Sequence, residues 1–138
     1  MVDALREAHR VLADGGILID ARPDSRADAR VQRVRPEGRF QTIGSLGTRP
    51  DTATDDRLSD RAVASAKRAR LFRGHGARIW WHRLPFATFP DLRAYLTGHL
   101  RLASRIDWTA QGRRAPRDGA YAIERPLQFE LLRKIKSR

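Results

Sequence analysis

The chain passes directly from an amphipathic helix, through two glycines, into an unbroken aliphatic run, and this opening limits its fold more than any other feature. Between Asp3 and Ala13 the apolar side chains recur at helical spacing. Asp3 can cap the start of this helix, and Gly15-Gly16 allows the left-handed exit that ends one. Ile17-Leu18-Ile19 follows without polar alternation. That pattern is typical of a strand covered on both faces inside a parallel sheet flanked by helices.

Helical and strand patterns continue to alternate along the rest of the chain. We expect, in chain order, a β-hairpin (31–34 and 40–43), a loop (44–56), a helix (58–72), a strand (77–84), a helix capped by Thr88 (88–106), a polar loop (109–118) and a closing extended segment (121–135) that is either a strand pair or one bent strand. A chain of 138 residues has the size of one domain. The alternation therefore predicts a single domain, 1–138, of the α/β class.

The composition excludes several classes of protein. Cysteine is absent, which removes disulfides, thiolate nucleophiles and cysteine-ligated zinc. Charged residues interrupt the first twenty positions, so no signal-peptide core can form, and no apolar run approaches the roughly 18 residues that cross a membrane. We therefore expect a cytoplasmic protein without membrane contact.

The charge balance is strongly basic. The chain has 28 basic and 16 acidic residues, a formal charge of +12, and all of its basic residues except Lys67, Lys134 and Lys136 are arginine. The arginines are spread along the chain without a single block. Because arginine suits phosphate ligands, this charge predicts weak, salt-sensitive binding to polyanions, whatever else the protein does.

One segment carries a resemblance to a known family. The run from Ala4 to Ile19, ALREAHRVLADGGILI, resembles the "E-A-x-R-V-L-x-x-G-G-x-L" stretch of class I S-adenosylmethionine-dependent methyltransferases, where it forms the helix that leads into the fifth strand. Later elements keep the family's order, including an "F-x-x-F-x-D-L-R-A-Y-L" helix start from Phe86 to Leu96. The resemblance implies a partial Rossmann-like methyltransferase sheet, its last three strands flanked by helices, with an inserted β-hairpin.

The same comparison shows what the chain lacks. The family binds its cofactor with its first four strands, through a glycine-rich turn after a strand and an acidic residue about 20 positions later. Gly44-Ser45-Leu46-Gly47 leads into a predicted loop, and Gly74-His75-Gly76 precedes a strand, so both are predicted to be turns. The resemblance therefore covers the C-terminal portion only. Intact relatives use S-adenosylmethionine, and this chain alone is expected to bind no cofactor.

The position of the first strand predicts a partner. In the family's sheet the fifth strand lies between the fourth and the seventh, so this chain would expose one edge of Ile17-Leu18-Ile19. We expect that edge to be covered by a missing N-terminal portion, by a second copy in a homodimer, or by the hairpin folding back.

Asp20 and Arg22 are the candidate site residues. They stand at the carboxyl end of the first predicted strand, where open α/β sheets bind ligands. The resemblance implies that they face the methyl acceptor and are substrate-binding. The alternative is that Asp20 caps a turn and that Arg22 is solvated. No residue is a candidate for catalysis or for cofactor binding.

No metal site is predicted. The four histidines share no metal-ligand spacing: His9, His75, His82 and His99. Three aspartates near the predicted second helix are explained by helix capping and the helix dipole: Asp55, Asp56 and Asp60.

The three tryptophans could stack nucleic-acid bases beside arginines: Trp80, Trp81 and Trp108. Neighbouring residues on a strand point to opposite faces, so at least one of Trp80 and Trp81 is expected in the core.

Two functions therefore follow from the sequence. The first is a methyltransferase-like protein that lacks the N-terminal cofactor-binding half and is inactive alone. The alternative is a small basic nucleic-acid-binding or scaffolding module. A third reading is an interaction subunit whose partner supplies the missing strands.

Overall fold

A computed structural model describes residues 2–136 and shows a mixed α/β fold. The helices are α1 (Val2–Val11), α2 (Pro50–Arg68), α3 (Phe89–Gly98) and α4 (Ala110–Arg114). The strands are β1 (Ile17–Pro23), β2 (Ala29–Val34), β3 (Phe40–Leu46), β4 (Phe72–Phe86), β5 (Asp107–Trp108) and β6 (Tyr121–Lys134). The described strands form a six-stranded sheet in the order β1-β6-β2-β3-β5, and β4 also pairs with β6.

The described residues divide into two compact units. The first unit comprises the described residues of 1–25, 54–80 and 127–138, and the second comprises 26–53 and 81–126. Each unit has its own buried apolar cluster.

In the first unit, β1 pairs with the C-terminal part of β6. The pairing is antiparallel, in a register that sets Leu18 opposite Leu132 and Ile19 opposite Leu131. Because successive side chains on a strand point to opposite faces, only one face of this pair is buried. That face packs Leu18 and Leu132 with a cluster from α1, α2 and β4: Leu5, Ala62, Val63, Ala66 and Phe72.

The prediction that β1 is covered on both faces is wrong. Ile17 is 44% and Ile19 64% exposed, and the neighbour of β1 is an antiparallel strand rather than a parallel one. Three consecutive aliphatic residues are typical of a strand that is covered on both faces. In β1, however, burial alternates along the strand, and the polar residues Asp20 and Arg22 lie on the inner face together with Leu18. The predicted exposed edge is confirmed, since β1 ends the strand order.

In the second unit, the predicted hairpin is confirmed. Strands β2 and β3 pair antiparallel across the turn at 35–39, where Gly38 has a φ of 79°. The N-terminal part of β6 pairs with β2, and β5 pairs with β3. The core of this unit joins strand residues to α3 and to the segment that follows it: Val31, Ile43, Leu46, Leu92, Leu96, Leu102, Ile106, Tyr121 and Ile123.

The predicted loop at 44–56 is wrong. Strand β3 continues through Gly44 to Leu46, and α2 begins at Pro50. A Cβ at Gly44 would lie 2.7 Å from Ile106 Cγ2, so this glycine permits a close approach rather than a turn. Proline suits a first helical position, and Asp51 suits the first turn of α2.

Other boundaries also differ from those predicted. Gly74 and Gly76 lie within β4, so they are not turns. Helix α3 begins after Thr88, as predicted, with a capping box in which Thr88 and Asp91 bond each other's backbone N–H at 3.1 and 3.2 Å. It ends at Gly98 rather than at 106, and Leu102 and Ile106 in the segment that follows are buried in the core of the second unit. The predicted loop at 109–118 contains the short helix α4.

Candidate functional site

Asp20 and Arg22 lie near the carboxyl end of β1 and form an ion pair with each other. Both side chains point to the inner face of the strand pair, and only 12% of Asp20 and 10% of Arg22 is exposed. The alternative reading, in which Arg22 is solvated, is therefore wrong.

Arg22 is surrounded by carboxylates of the first unit. Its Nε donates to Asp60 Oδ1 at 2.7 Å, and its Nη2 lies 3.7 Å from Glu130 Oε2. Glu130 stands directly opposite Asp20 in the β1–β6 register and is itself buried. We call Asp20, Arg22, Asp60, Lys67 and Glu130 the charge cluster.

Helix α2 supplies two members of the charge cluster. Lys67 Nζ donates to Glu130 Oε1 at 2.6 Å, and Asp60 also accepts from Ser25 Oγ at 2.6 Å. Asp60 lies inside α2, so its predicted role as a helix cap is wrong. The cluster joins residues that are far apart in the sequence, and no local pattern indicates it.

The charges decide what this site could bind. The five side chains of the charge cluster comprise two cations and three carboxylates, which leaves one excess negative charge. Because Arg22 already faces three carboxylates, it is not available to hold an anionic ligand. A ligand beside Asp20 and Arg22 would need to be neutral or cationic.

The opposite face of the same strand pair is exposed and carries four large apolar side chains beside Arg133, which stands opposite Ile17. It carries Ile17 (44% exposed) and Ile19 (64%) on β1 and Phe129 and Leu131 (both 37%) on β6. Ile19 stands directly opposite Leu131, so these side chains are contiguous. We call these four residues the open face. Contiguous apolar surface of this kind marks an interaction site more often than a free surface.

A cavity of about 690 Å³ lies in the second unit. Two aromatic side chains, Phe89 and Trp108, line it. Its charged lining consists of four arginines and one aspartate: Arg93, Arg105, Arg113, Arg117 and Asp107. We call this cavity the arginine pocket. The sequence indicates Trp108 and the excess of arginine but not the pocket, because the lining residues fall in a segment predicted as one long helix and a polar loop.

The other tryptophans do not form a second such site. Trp80 is 62% exposed. Trp81 is partly buried beneath the guanidinium of Arg30, 3.8 Å from the ring centroid. Neither belongs to a buried cluster, so the prediction that at least one lies in the core is wrong.

Two of the four histidines, His9 and His99, make contacts that stabilise the fold. In the first unit, His9 lies edge-on to Phe72 and within 3.3 Å of the carbonyl oxygen of Ile135. In the second unit, His99 Nδ1 accepts the backbone N–H groups of Arg101 and Leu102, both at 3.0 Å. Burial lowers the pKa of His99, and the charges of Arg125 and Arg101 lower it further.

No set of three His, Cys, Asp or Glu side chains within residues 2–136 is placed to hold a metal ion. Over the same residues, no helix combines the length and the apolar character needed to cross a bilayer.

The two glycine segments lie in different settings: Gly47 lies between the end of β3 and the start of α2, whereas Gly74 and Gly76 lie within β4. The segment Gly44 to Gly47 therefore leads from a strand towards a helix rather than into the predicted loop. Comparison with known proteins assigns no family, since no protein-family model, no curated protein and no solved structure matches this chain significantly.

Proposed function

We propose that this chain is a methyltransferase-like protein that lacks the N-terminal cofactor-binding half and is inactive alone. The observation that carries the proposal is the pairing of β1. The strand that follows the methyltransferase-like helix and Gly15-Gly16 pairs with the last strand of the chain, β6, which also pairs with β4. The resemblance assigns these three strands as the fifth, seventh and sixth, and it places the seventh beside the fifth.

The Rossmann-like part of the proposal concerns β1, β4 and β6 only. Every pairing with a defined register is antiparallel, whereas doubly wound sheets are mostly parallel. In this proposal β2 and β3 are the inserted hairpin.

Asp20 and Arg22 are proposed to contact the methyl acceptor. They lie near the carboxyl end of β1, where the resemblance implies that the methyl acceptor binds. The excess negative charge of the charge cluster favours a neutral or cationic acceptor over an anionic one.

A partner along β1 belongs to the same proposal. The strand ends the sheet, and the open face beside it exposes Ile17 and Ile19. The hairpin does not cover this edge, because β2 pairs with β6 and β3. A missing N-terminal portion or a second copy is proposed to do so, and a cytoplasmic location is proposed with it.

Calorimetric titration with S-adenosylmethionine tests the proposal. The 138-residue chain is expected to show no saturable binding. The coding DNA upstream of Met1 is expected to encode, in frame, a strand, a glycine-rich turn and a helix, and the extended chain is expected to bind the cofactor. Saturable binding by the 138-residue chain alone, or an extended chain that does not bind, contradicts the proposal.

A second function, nucleic-acid binding by a small basic module, is favoured by one specific observation. In the second unit, arginines stack on aromatic rings, with Arg117 4.1 Å from Trp108 and Arg30 3.8 Å from Trp81. Such pairs occur where proteins stack single-stranded bases. Oligonucleotide affinity that falls steeply with salt and also prefers one sequence supports this function. A salt dependence without preference reflects only the charge of +12.

A further inference from the structure

The arginine pocket contains more positive charge than the chain around it neutralises. Its four arginines face one lining carboxylate, Asp107. None of the four forms an ion pair within residues 2–136, although other arginines of the second unit do, such as Arg33 with Asp118 at 2.7 Å. An unneutralised group of guanidinium side chains around a cavity attracts anions, and guanidinium geometry matches phosphate oxygens in particular.

Two of these arginines are held in place by neutral groups. Arg113 Nη1 donates to the carbonyl oxygen of Trp108 at 2.9 Å. Arg117 Nη1 donates to the carbonyl oxygens of Gly112 and Ala115 at 2.9 and 2.8 Å. Carbonyl partners fix the orientation of a guanidinium without cancelling its charge. These two cations are therefore preorganised for an anionic ligand.

The other two arginines are free to close on a ligand. The side chains of Arg93, on α3, and Arg105 are exposed and make no hydrogen bond or ion pair within the described residues. The pocket thus combines two fixed cations with two adaptable ones.

The pocket also has an aromatic wall. Trp108 and Phe89 lie with their ring centroids 5.9 Å apart, and the guanidinium of Arg117 covers the Trp108 ring at 4.1 Å. Aromatic rings and guanidinium planes are both surfaces on which nucleic-acid bases stack. A volume of about 690 Å³ is within the range of small-ligand sites.

We propose that the arginine pocket binds a nucleotide unit, with its phosphate ester among the arginines and its planar base on the guanidinium plane of Arg117, which lies over the rings of Trp108 and Phe89. Asp107, the one acidic group of the lining, is placed to accept from a sugar hydroxyl or a base N–H. A phosphate ester fits better than a carboxylate because it brings more negative charge and more acceptor oxygens to four guanidinium groups.

This inference is independent of the methyltransferase-like proposal. It deepens the nucleic-acid alternative by naming a site and a ligand unit. Only the case in which the ligand is the end of a nucleic-acid strand rests on that alternative. The unit could come from a free mononucleotide or from the phosphorylated end of a strand, since both present the same chemistry.

The test is calorimetric titration of the full chain with AMP, GMP, CMP and UMP, with adenosine and inorganic phosphate as partial ligands. At least one mononucleotide is expected to bind saturably with one site per chain, about tenfold or more tighter than either partial ligand. The double variant Arg93→Gln and Arg105→Gln is expected to weaken that binding by about tenfold or more, because two charged donors are lost. Neither side chain has a folded-state partner, so the fold is expected to be unchanged.

The matched control is the double variant Arg61→Gln and Arg68→Gln. It removes the same charge from exposed positions on α2, outside the pocket, where the side chains also make no hydrogen bond or ion pair within the described residues. Its affinity is expected to stay within about twofold of the parent. Equal losses in the two double variants would show a general charge effect and overturn the proposal, as would inorganic phosphate binding as tightly as every mononucleotide.

A tetranucleotide with and without a 5′-phosphate distinguishes the two sources of the ligand. Binding that requires the 5′-phosphate and falls in the Arg93→Gln, Arg105→Gln variant assigns the pocket to a strand end. Binding of mononucleotides with no binding of either tetranucleotide assigns it to a free nucleotide and removes the nucleic-acid alternative. If neither a mononucleotide nor a phosphorylated tetranucleotide binds saturably, the proposal is wrong.

Discussion

Replacing Arg22 with methionine is expected to destabilise the first unit strongly. Arg22 is 10% exposed and faces Asp20, Asp60 and Glu130. Methionine keeps much of the length of the side chain and removes the charge. Asp20 and Glu130, which stand opposite each other on β1 and β6, would then be buried carboxylates with only Lys67 to balance them.

The magnitude follows from the burial of the partners. Asp20 and Glu130 are 12% and 7% exposed at their side chains, so water cannot replace the lost guanidinium. Breaking a buried ion pair by removing one partner costs about 3–5 kcal/mol of unfolding free energy. Adding Asp20→Asn to Arg22→Met removes one of the two buried carboxylates that have lost the guanidinium, and it is expected to recover about 1–2 kcal/mol of that loss.

Urea unfolding followed by circular dichroism measures these differences, and amide exchange of 17–23 locates them in β1. Arg6→Met is the control, since Arg6 pairs with Asp3 at 3.8 Å with both side chains largely exposed and is expected to cost at most about 1 kcal/mol. An Arg22→Met loss no larger than that of Arg6→Met, or no recovery on adding Asp20→Asn, would refute the reasoning.

Three further variants test the second unit. Gly112→Ala is expected to lower the unfolding free energy, measured by urea unfolding, by more than about 2 kcal/mol, because the new Cβ would overlap the carbonyl oxygen of Ile43. Gly98→Ala is the control, since a Cβ there meets open space and should leave the unfolding free energy unchanged. Thr88→Ala is expected to lower thermal stability by about 1 kcal/mol through loss of the α3 capping box, and Thr88→Ser should restore most of it. The lowered pKa of His99 means that the unfolded chain takes up the proton first, so the unfolding free energy should fall as the pH drops below about 6.5 and level off below the folded pKa. His99→Asn should remove this pH dependence in urea titrations, and His75→Asn, at an exposed position, should leave it unchanged.

Local sequence signals predicted those elements whose causes are local. The spacing of Leu5, Ala8 and Leu12 predicts α1, and Thr88 with Pro90 predicts the start of α3. The turn at Pro36 and Gly38 predicts the hairpin. In each case the residues that determine the element lie within a few positions of each other, so periodicity and capping suffice.

Elements determined by distant contacts were missed. Gly44 resembles a turn residue until its approach to Ile106 is known, and that approach depends on a segment about 60 residues later. The first turns of α2 are rich in threonine and aspartate, which hides the helix that follows Pro50.

The candidate sites show the same limit. Position at the end of β1 identified Asp20 and Arg22 but not their environment, because Arg22 and its partner Asp60 are 38 residues apart. The arginine pocket gathers side chains from α3, α4 and the segments around β5. A chain with 28 basic residues gives no local indication of which four will share a cavity.

The edge of β1 allows a last prediction, in which two physical effects oppose each other. If a second copy covers β1, association removes Ile19 and its neighbours on the open face from water but brings together two chains of charge +12. Salt screens the repulsion and leaves the apolar burial, so sedimentation should show association that strengthens with salt, the reverse of polyanion binding. Ile19→Lys should abolish it, and Leu100→Lys, at an exposed position in the second unit, should not. A chain that remains monomeric at high salt and high concentration excludes the second copy, and the N-terminal portion then remains as the proposed occupant of this edge.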